Sequence, residues 1–276
     1  MRRAEFIKKF FIYFFLIIGS LIMLFPFYWM LSSAAKTYAE YASFPPRWWP
    51  QNWFNFSNYV NAFSSANFVT YFKNSFIVVI ASVGVNSLTT ILAAFAFSRL
   101  RFFGRDAAFT ALLSFMMVPF EMLVITNFKT VVNMGIVNSL WVLFIPFTTS
   151  IFYTYILKNF FDTIPDSLYY SAKIDGASNW KYLWRVMVPI AKPSLVTIML
   201  LNAISCWNSF LWTQLTIHVE NLRTLPMGLF VFMSDEGSNV QLQLAAATIC
   251  VLPMIILFLF ARKYIVNGVA RGGIKG

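Results

Sequence analysis

Charge is scarce in this chain. Asp, Glu, Lys and Arg together make up 11% of its 276 residues, against about 25% in an ordinary soluble domain. His218 is the single histidine, and Cys206 and Cys250 are the only cysteines. A clustered His/Cys ligand set is therefore excluded, and two cysteines that both fall in apolar stretches give no sign of a disulfide framework. No His/Ser/Asp grouping suits a membrane enzyme. The phosphate-cradling pattern G-x-x-x-x-G-K-[S/T] is also missing; its nearest approach, Gly268 to Gly273, runs into Ile274 where the lysine belongs. If ATP drives this protein, another polypeptide binds it.

What is present is apolar. The hydrophobic fraction is 59% and the mean hydropathy +0.68, values that define an integral membrane protein. Apolar runs at about 10–31, 76–97, 107–126, 140–157, 193–215 and 244–260 are predicted as transmembrane helices, each near the roughly 20 residues a bilayer requires. The first follows Arg2, Arg3, Lys8 and Lys9 but is longer than a signal-peptide core, so it is read as a retained helix. After it, FPPRWWPQNWFNFSNY carries the aromatics of a membrane interface. The net charge of +11 is not a nucleic-acid patch, because the basic residues fringe the apolar runs. Sixteen Lys and Arg fall in the termini and in the 2–3 and 4–5 connections, and five in the other three. The positive-inside rule then puts both termini and the 4–5 connection in the cytoplasm. The expected fold is all-α, a single six-helix membrane bundle over residues 1–276.

The 4–5 connection, about 162–192, is the longest polar interruption in the second half of the chain. Thr163 and Asp166 have capping-box spacing, with Pro165 in the first turn. A short helix ends at Gly176, Ser178 caps a second, Pro189 stops it, and Pro193 opens the next apolar run. The order Pro165-x-x-Leu168, Ala172-x-Ile174-Asp175-Gly176-Ala177, Pro189-x-x-x-Pro193 resembles the EAA loop of ABC-importer permeases. Ala93–Gly104 (AAFAFSRLRFFG), Cys206-Trp207-Asn208 and Gly268–Gly276 (GVARGGIKG) are similar to the smaller permease subunit of maltose-type carbohydrate importers, so the resemblance covers nearly the whole chain. One departure stands out. Tyr170-Ser171-Ala172 replaces Glu-Ala-Ala, and a tyrosine can pack and hydrogen-bond but cannot form the ion pair a carboxylate offers an ATPase; Asp166 and Asp175 are the nearest acids.

The resemblance implies a type I importer permease with no catalytic residue and no cofactor of its own. ATP and Mg would sit on a partner ATPase dimer. A second, homologous permease and an extracellular or periplasmic sugar-binding protein would complete the assembly in the inner or cytoplasmic membrane. It implies ATPase coupling at Asp166, Tyr170, Ser171, Ala172, Asp175, Gly176 and Ala177, and a tail contact at Gly268, Gly272, Gly273, Lys275 and Gly276. The polar outer loop near 219–243 would enter the binding protein's sugar site, or simply connect two spans. On the residues themselves, Asn202, Ser205, Asn208 and Ser209 recur at three- and four-residue steps on one helix face, with Trp207 beside them. Amides and hydroxyls next to a ring suit a sugar; they equally suit helix–helix hydrogen bonding, the reading given to Asn86, Ser87, Thr89 and Thr90. Glu121, the one acid placed in a span, follows Pro119 and is read as interfacial. The same architecture could carry a non-sugar solute, whereas an ion-driven secondary transporter would need paired intramembrane charges.

Overall fold

A computed structural model describes the backbone of residues 2–237 and 239–272, and the side chains among these outside 2–6, 261 and 263–272. The described residues are helical, without a β-strand. In order they form α1 (Arg2–Ala34), α2 (Tyr38–Tyr41), α3 (Ser57–Ser65), α4 (Phe68–Arg99), α5 (Arg105–Phe115) and α6 (Phe120–Asn133). Two short 3₁₀ stretches, Leu140–Leu143 and Ile145–Phe147, lead to α7 (Ile151–Asp162) and α8 (Asp166–Ile174). Then come α9 (Asn179–Ile190), α10 (Lys192–Trp207), α11 (Leu211–Thr216), α12 (Leu225–Asp235) and α13 (Val240–Gly272).

Three helices are individually long and apolar enough to cross a bilayer: Ile7–Ala34 within α1, the whole of α4, and Val240–Phe260 within α13. Three bent pairs pass the same test jointly: α5 with α6 at 98°, Leu140–Phe147 with α7 at 46°, and α9 with α10 at 80°. Counting each pair once gives six candidate spans.

The sequence expectations fail where a helix breaks. The third span is not one helix: α5 ends at Phe115 and α6 starts after Pro119. Pro119 has no N–H to donate and pushes Val118 out of the helical region, so the ladder cannot pass. The fourth span is 3₁₀ around Pro146 before it becomes α7. The second begins at Phe68 rather than about 76, because Asn74 is not a solvent residue: its Nδ2 donates to the carbonyls of Asn221 (2.8 Å) and Arg223 (3.0 Å). The stretch near 219–243 is not a plain polar loop; it holds the apolar α12. Pro189 does not stop α9, which widens into a π-type turn at Leu183–Met187 and continues to Ile190.

The chain divides into two compact units, Met1–Phe68 with Gly228–Pro253, and Val69–Met227 with Met254–Gly276. In the first, Asn58 ties the end of α1 by donating to the Ala34 and Lys36 carbonyls at 2.8 and 2.7 Å, while Phe68 packs edge-on against Phe232. The second holds two cores among its described residues. One gathers Ile91, Phe95, Leu157, Phe161, Tyr182, Leu183, Met187 and Leu195 from α4, α7, α9 and α10. The other surrounds Trp212, whose indole N–H donates to the Val142 carbonyl at 2.9 Å.

Candidate functional site

The corner between α8 and α9 is a complete helix-ending motif. Asp175 caps α8, Gly176 has φ +73°, Gly176 N–H donates to the Lys173 carbonyl (3.0 Å) and Ala177 N–H to the Ala172 carbonyl (2.8 Å). That pair of bonds satisfies two carbonyls the helix end would leave orphaned, and it requires a left-handed residue at the glycine. Ser178 then caps α9 by accepting from Lys181 N–H at 3.2 Å, as expected. The start of α8 differs from expectation. Pro165 is its N-cap without a side-chain bond, and Thr163 Oγ1 instead donates to the Phe160 carbonyl at 2.7 Å, so no capping box forms.

The inner side of this helix pair is fixed. Tyr169 stacks edge-on on the buried Tyr182 and donates its hydroxyl to Asn179 Oδ1 at 3.0 Å, and Ala172 and Trp184 pack on the first core. The outer side is free of the chain's own core. Asp166, Ser171, Asp175 and Gly176 are exposed and Ala177 partly so; Leu168, Tyr170 and Trp180 project between them, and Ile174 is 87% exposed. Tyr170 accepts at its hydroxyl from Arg101 at 3.3 Å. The seven residues expected to couple thus share one short helix–corner segment.

A cleft of about 1040 Å³ opens between this segment and the end of α4, lined by Arg99, Arg101, Arg105 and Lys158 together with Asp162, Asp166 and Tyr170. Arg99 ends α4; the sequence shows it within the Ala93–Gly104 motif and the basic fringe, with no role of its own. Its Nη2 donates to the carbonyls of Phe161 (2.7 Å) and Ile164 (2.6 Å), and its Nη1 lies 3.4 Å from Asp166 Oδ1.

A second pocket, about 280 Å³, is walled by Ser82 and Asn86 of α4, Thr149, Ser150 and Tyr153 around the break before α7, and Asn202, Ser205, Cys206 and Ser209. Leu143, Phe147 and Phe152 complete it, and no Asp, Glu, Lys or Arg lies among these described lining residues. Ser82 donates to Asn202 Oδ1 at 3.3 Å. Three of the five residues expected to line a path, Asn202, Ser205 and Ser209, are here. The other two are not. α10 ends at Trp207, so Asn208 is its C-cap and leaves the shared face, and Trp207 is 4% exposed, edge-on against Phe76. The α4 residues Ser82 and Asn86, four apart, were the missing half; that spacing was the signal available. Asn86 also donates to the Phe147 carbonyl (3.0 Å) and Thr89 to that of Thr148 (2.6 Å), the helix-packing role expected of them. Glu121 is exposed in the first turn of α6. Gly268 and Gly272 continue the backbone of α13 instead of forming a separate tail; Gly273, Lys275 and Gly276 lie outside the described residues.

Six candidate spans with a polar pocket among the helices are the features of a multi-pass membrane transport subunit. Residues 86–271 match the family of binding-protein-dependent transport system inner membrane components, and the chain belongs to that family. It is 32% identical to the inner membrane ABC transporter permease protein YcjP of Escherichia coli (strain K12), over 93% of this chain and 92% of that one. It is 28% identical to the arabinooligosaccharides transport system permease protein AraQ of Bacillus subtilis (strain 168), over 80% and 79%. Its fold matches a solved bacterial ABC transporter involved in the import of the acidic polysaccharide alginate with TM-score 0.86, at 24% identity, over 95% of this chain and 98% of that one.

Proposed function

We propose that this chain is one permease half of an ATP-driven importer of neutral oligosaccharides. The observation that carries the cargo is the second pocket. Its wall offers amide and hydroxyl groups and aromatic rings without a charged side chain among the described lining residues, which fits a sugar's hydroxyls and apolar face. A uronate would have to leave water with no cation on this wall to receive it, an unfavourable transfer. The relatives named for arabinooligosaccharide transport support the carbohydrate class.

In this reading a second permease supplies the facing wall, and a substrate-binding protein delivers sugar outside the cell membrane. An ATPase dimer, holding ATP and Mg, seats on Leu168, Tyr170, Ile174 and Trp180 around the Gly176 corner. Closure of the dimer pushes α8 and α9, whose Tyr169, Ala172, Tyr182 and Leu183 are built into the core with α4, α7 and α10. The push becomes a rotation of those helices that opens the pocket outward. Since Tyr170 already bonds to Arg101, the proposed ATPase contact here is apolar where the Glu-Ala-Ala pattern has a carboxylate.

The test is uptake by the assembled importer in proteoliposomes. Neutral arabinose-, glucose- and N-acetylglucosamine-based oligosaccharides should be accepted in preference to a uronate oligomer of equal length, and Asn202→Leu should lower uptake several-fold with ATP hydrolysis retained. Preferential uptake of the uronate would overturn the cargo. Uptake that persists without any ATPase subunit would overturn the mechanism.

A further inference from the structure

We infer that Arg99 is a coupling joint, carrying motion of α8 and of the α7 end directly into α4 and so to the second wall of the pocket. This rests on the reading of the α8–α9 corner as the ATPase-driven element. The guanidinium is held mainly by backbone. Two of its donors go to the Phe161 and Ile164 carbonyls at 2.7 and 2.6 Å, the end of α7 and the turn before α8. The Phe161 carbonyl also accepts from Ile164 N–H at 3.1 Å, so the guanidinium adds a charged donor at the end of α7, where the helix dipole favours a cation, and takes the Ile164 carbonyl in the turn beyond. The Asp166 contact is the lesser part of the grip: at 3.4 Å, with that side chain 71% exposed against 6% for Arg99, it is screened by water.

The Arg99 side chain is 6% exposed, so giving up its two backbone acceptors would leave a mostly buried charge short of hydrogen bonds. The end of α4 must therefore follow the α7–α8 turn. α4 is continuous from Arg99 back through Asn86 and Ser82, and Asn86 lies about 20 Å up the helix at 1.5 Å per residue. A tilt imposed at Arg99 reaches the pocket on a rigid rod. Without this joint α8 would reach α4 only through the shared apolar core and the Arg101–Tyr170 hydrogen bond. The Nε of Arg99 is buried with no partner, a donor left open for a changed grip in a second state.

The experiment uses the complete importer, with both permeases, the ATPase and the binding protein, and needs no identified cargo. Cys206 lines the pocket, so its modification by a small maleimide, located by mass spectrometry with and without ATP, reports pocket movement, while phosphate release reports hydrolysis. Arg99→Gln should abolish about tenfold or more of the ATP-dependent change in labelling, the scale of a coupling between linked sites, while hydrolysis continues. Arg99→Lys, which can reach one carbonyl, should fall between. A full ATP response in Arg99→Gln overturns the joint. If that variant does not assemble, a full response in Arg99→Lys overturns it. Gly176→Asp separates the two ideas: loss of response there with Arg99 variants unaffected removes only the joint, whereas an unaffected Gly176→Asp, or wild-type labelling indifferent to ATP, removes the coupling reading itself.

Discussion

Single residues set the strictest conditions. Gly176 sits at φ +73° with open space where a Cβ would be, so substitution there is penalised by backbone strain and not by a clash. The left-handed region costs an L-residue about 1–2 kcal/mol, less for asparagine. Thermal stability of the purified complex should therefore rank Gly176→Asn above Gly176→Ala and that above Gly176→Val; an equal ranking would mean the corner relaxes to another turn. Glu40 makes a different prediction. Burial alone would raise its carboxyl, but bonds from Thr37 N–H, Gln51 N–H and the Thr37 hydroxyl, with Arg47 nearby, outweigh it and hold the group below the usual carboxylate range. A depressed folded value stabilises at every pH above the unfolded one, near 4.3, and the contribution disappears as pH falls through the folded value. Tryptophan emission from Trp48, Trp49 and Trp53 should show the segment after α1 loosening below about pH 4. Glu40→Gln should flatten that transition and weaken the segment at neutral pH.

Elements show what kind of information a sequence holds. Asn86 and Thr89 satisfy carbonyls at the non-helical break before α7. Asn86→Leu should cost about 1–3 kcal/mol, the penalty of a buried carbonyl left unpaired, whereas Ser205→Ala on the exposed side of the pocket should leave melting unchanged; both are read by thermal denaturation in detergent. The apolar runs of α1, α4 and α13 were legible because length and composition alone decide whether a helix can span a bilayer. The glycine corner was legible because its residues act locally: Gly176 for φ, Ser178 for the cap. The breaks were not. Pro119 and Pro189 look equivalent in sequence, yet α5 and α6 part at the first while α9 absorbs the second by widening at Leu183–Met187. Which response occurs depends on tertiary packing around Tyr182, Leu183 and Met187. The pocket was half legible for a related reason. The α10 face could be read from its period, but its ending at Trp207, which removes Asn208, and its meeting with Ser82 on α4 are long-range facts. Arg99 was hidden by its own duty as a topology signal.

At the scale of the whole molecule, the proposed reading gives this chain one wall of a path and a corner for an ATPase to seat on. Its outermost side chain there, Ile174, is 87% exposed, with Trp180, Tyr170 and Leu168 around it. Clustered apolar surface on a soluble-facing segment is also what cellular quality control recognises. If the ATPase seats there as proposed, a copy made without it would carry that label openly, and a copy in the finished importer would hide it. Pulse-chase in cells lacking the ATPase should therefore show a markedly shortened lifetime of this chain, restored by Ile174→Ser with Trp180→Ser. The residues that transmit the power stroke would then double as a census device, keeping the number of permeases in the membrane matched to the engines available to drive them.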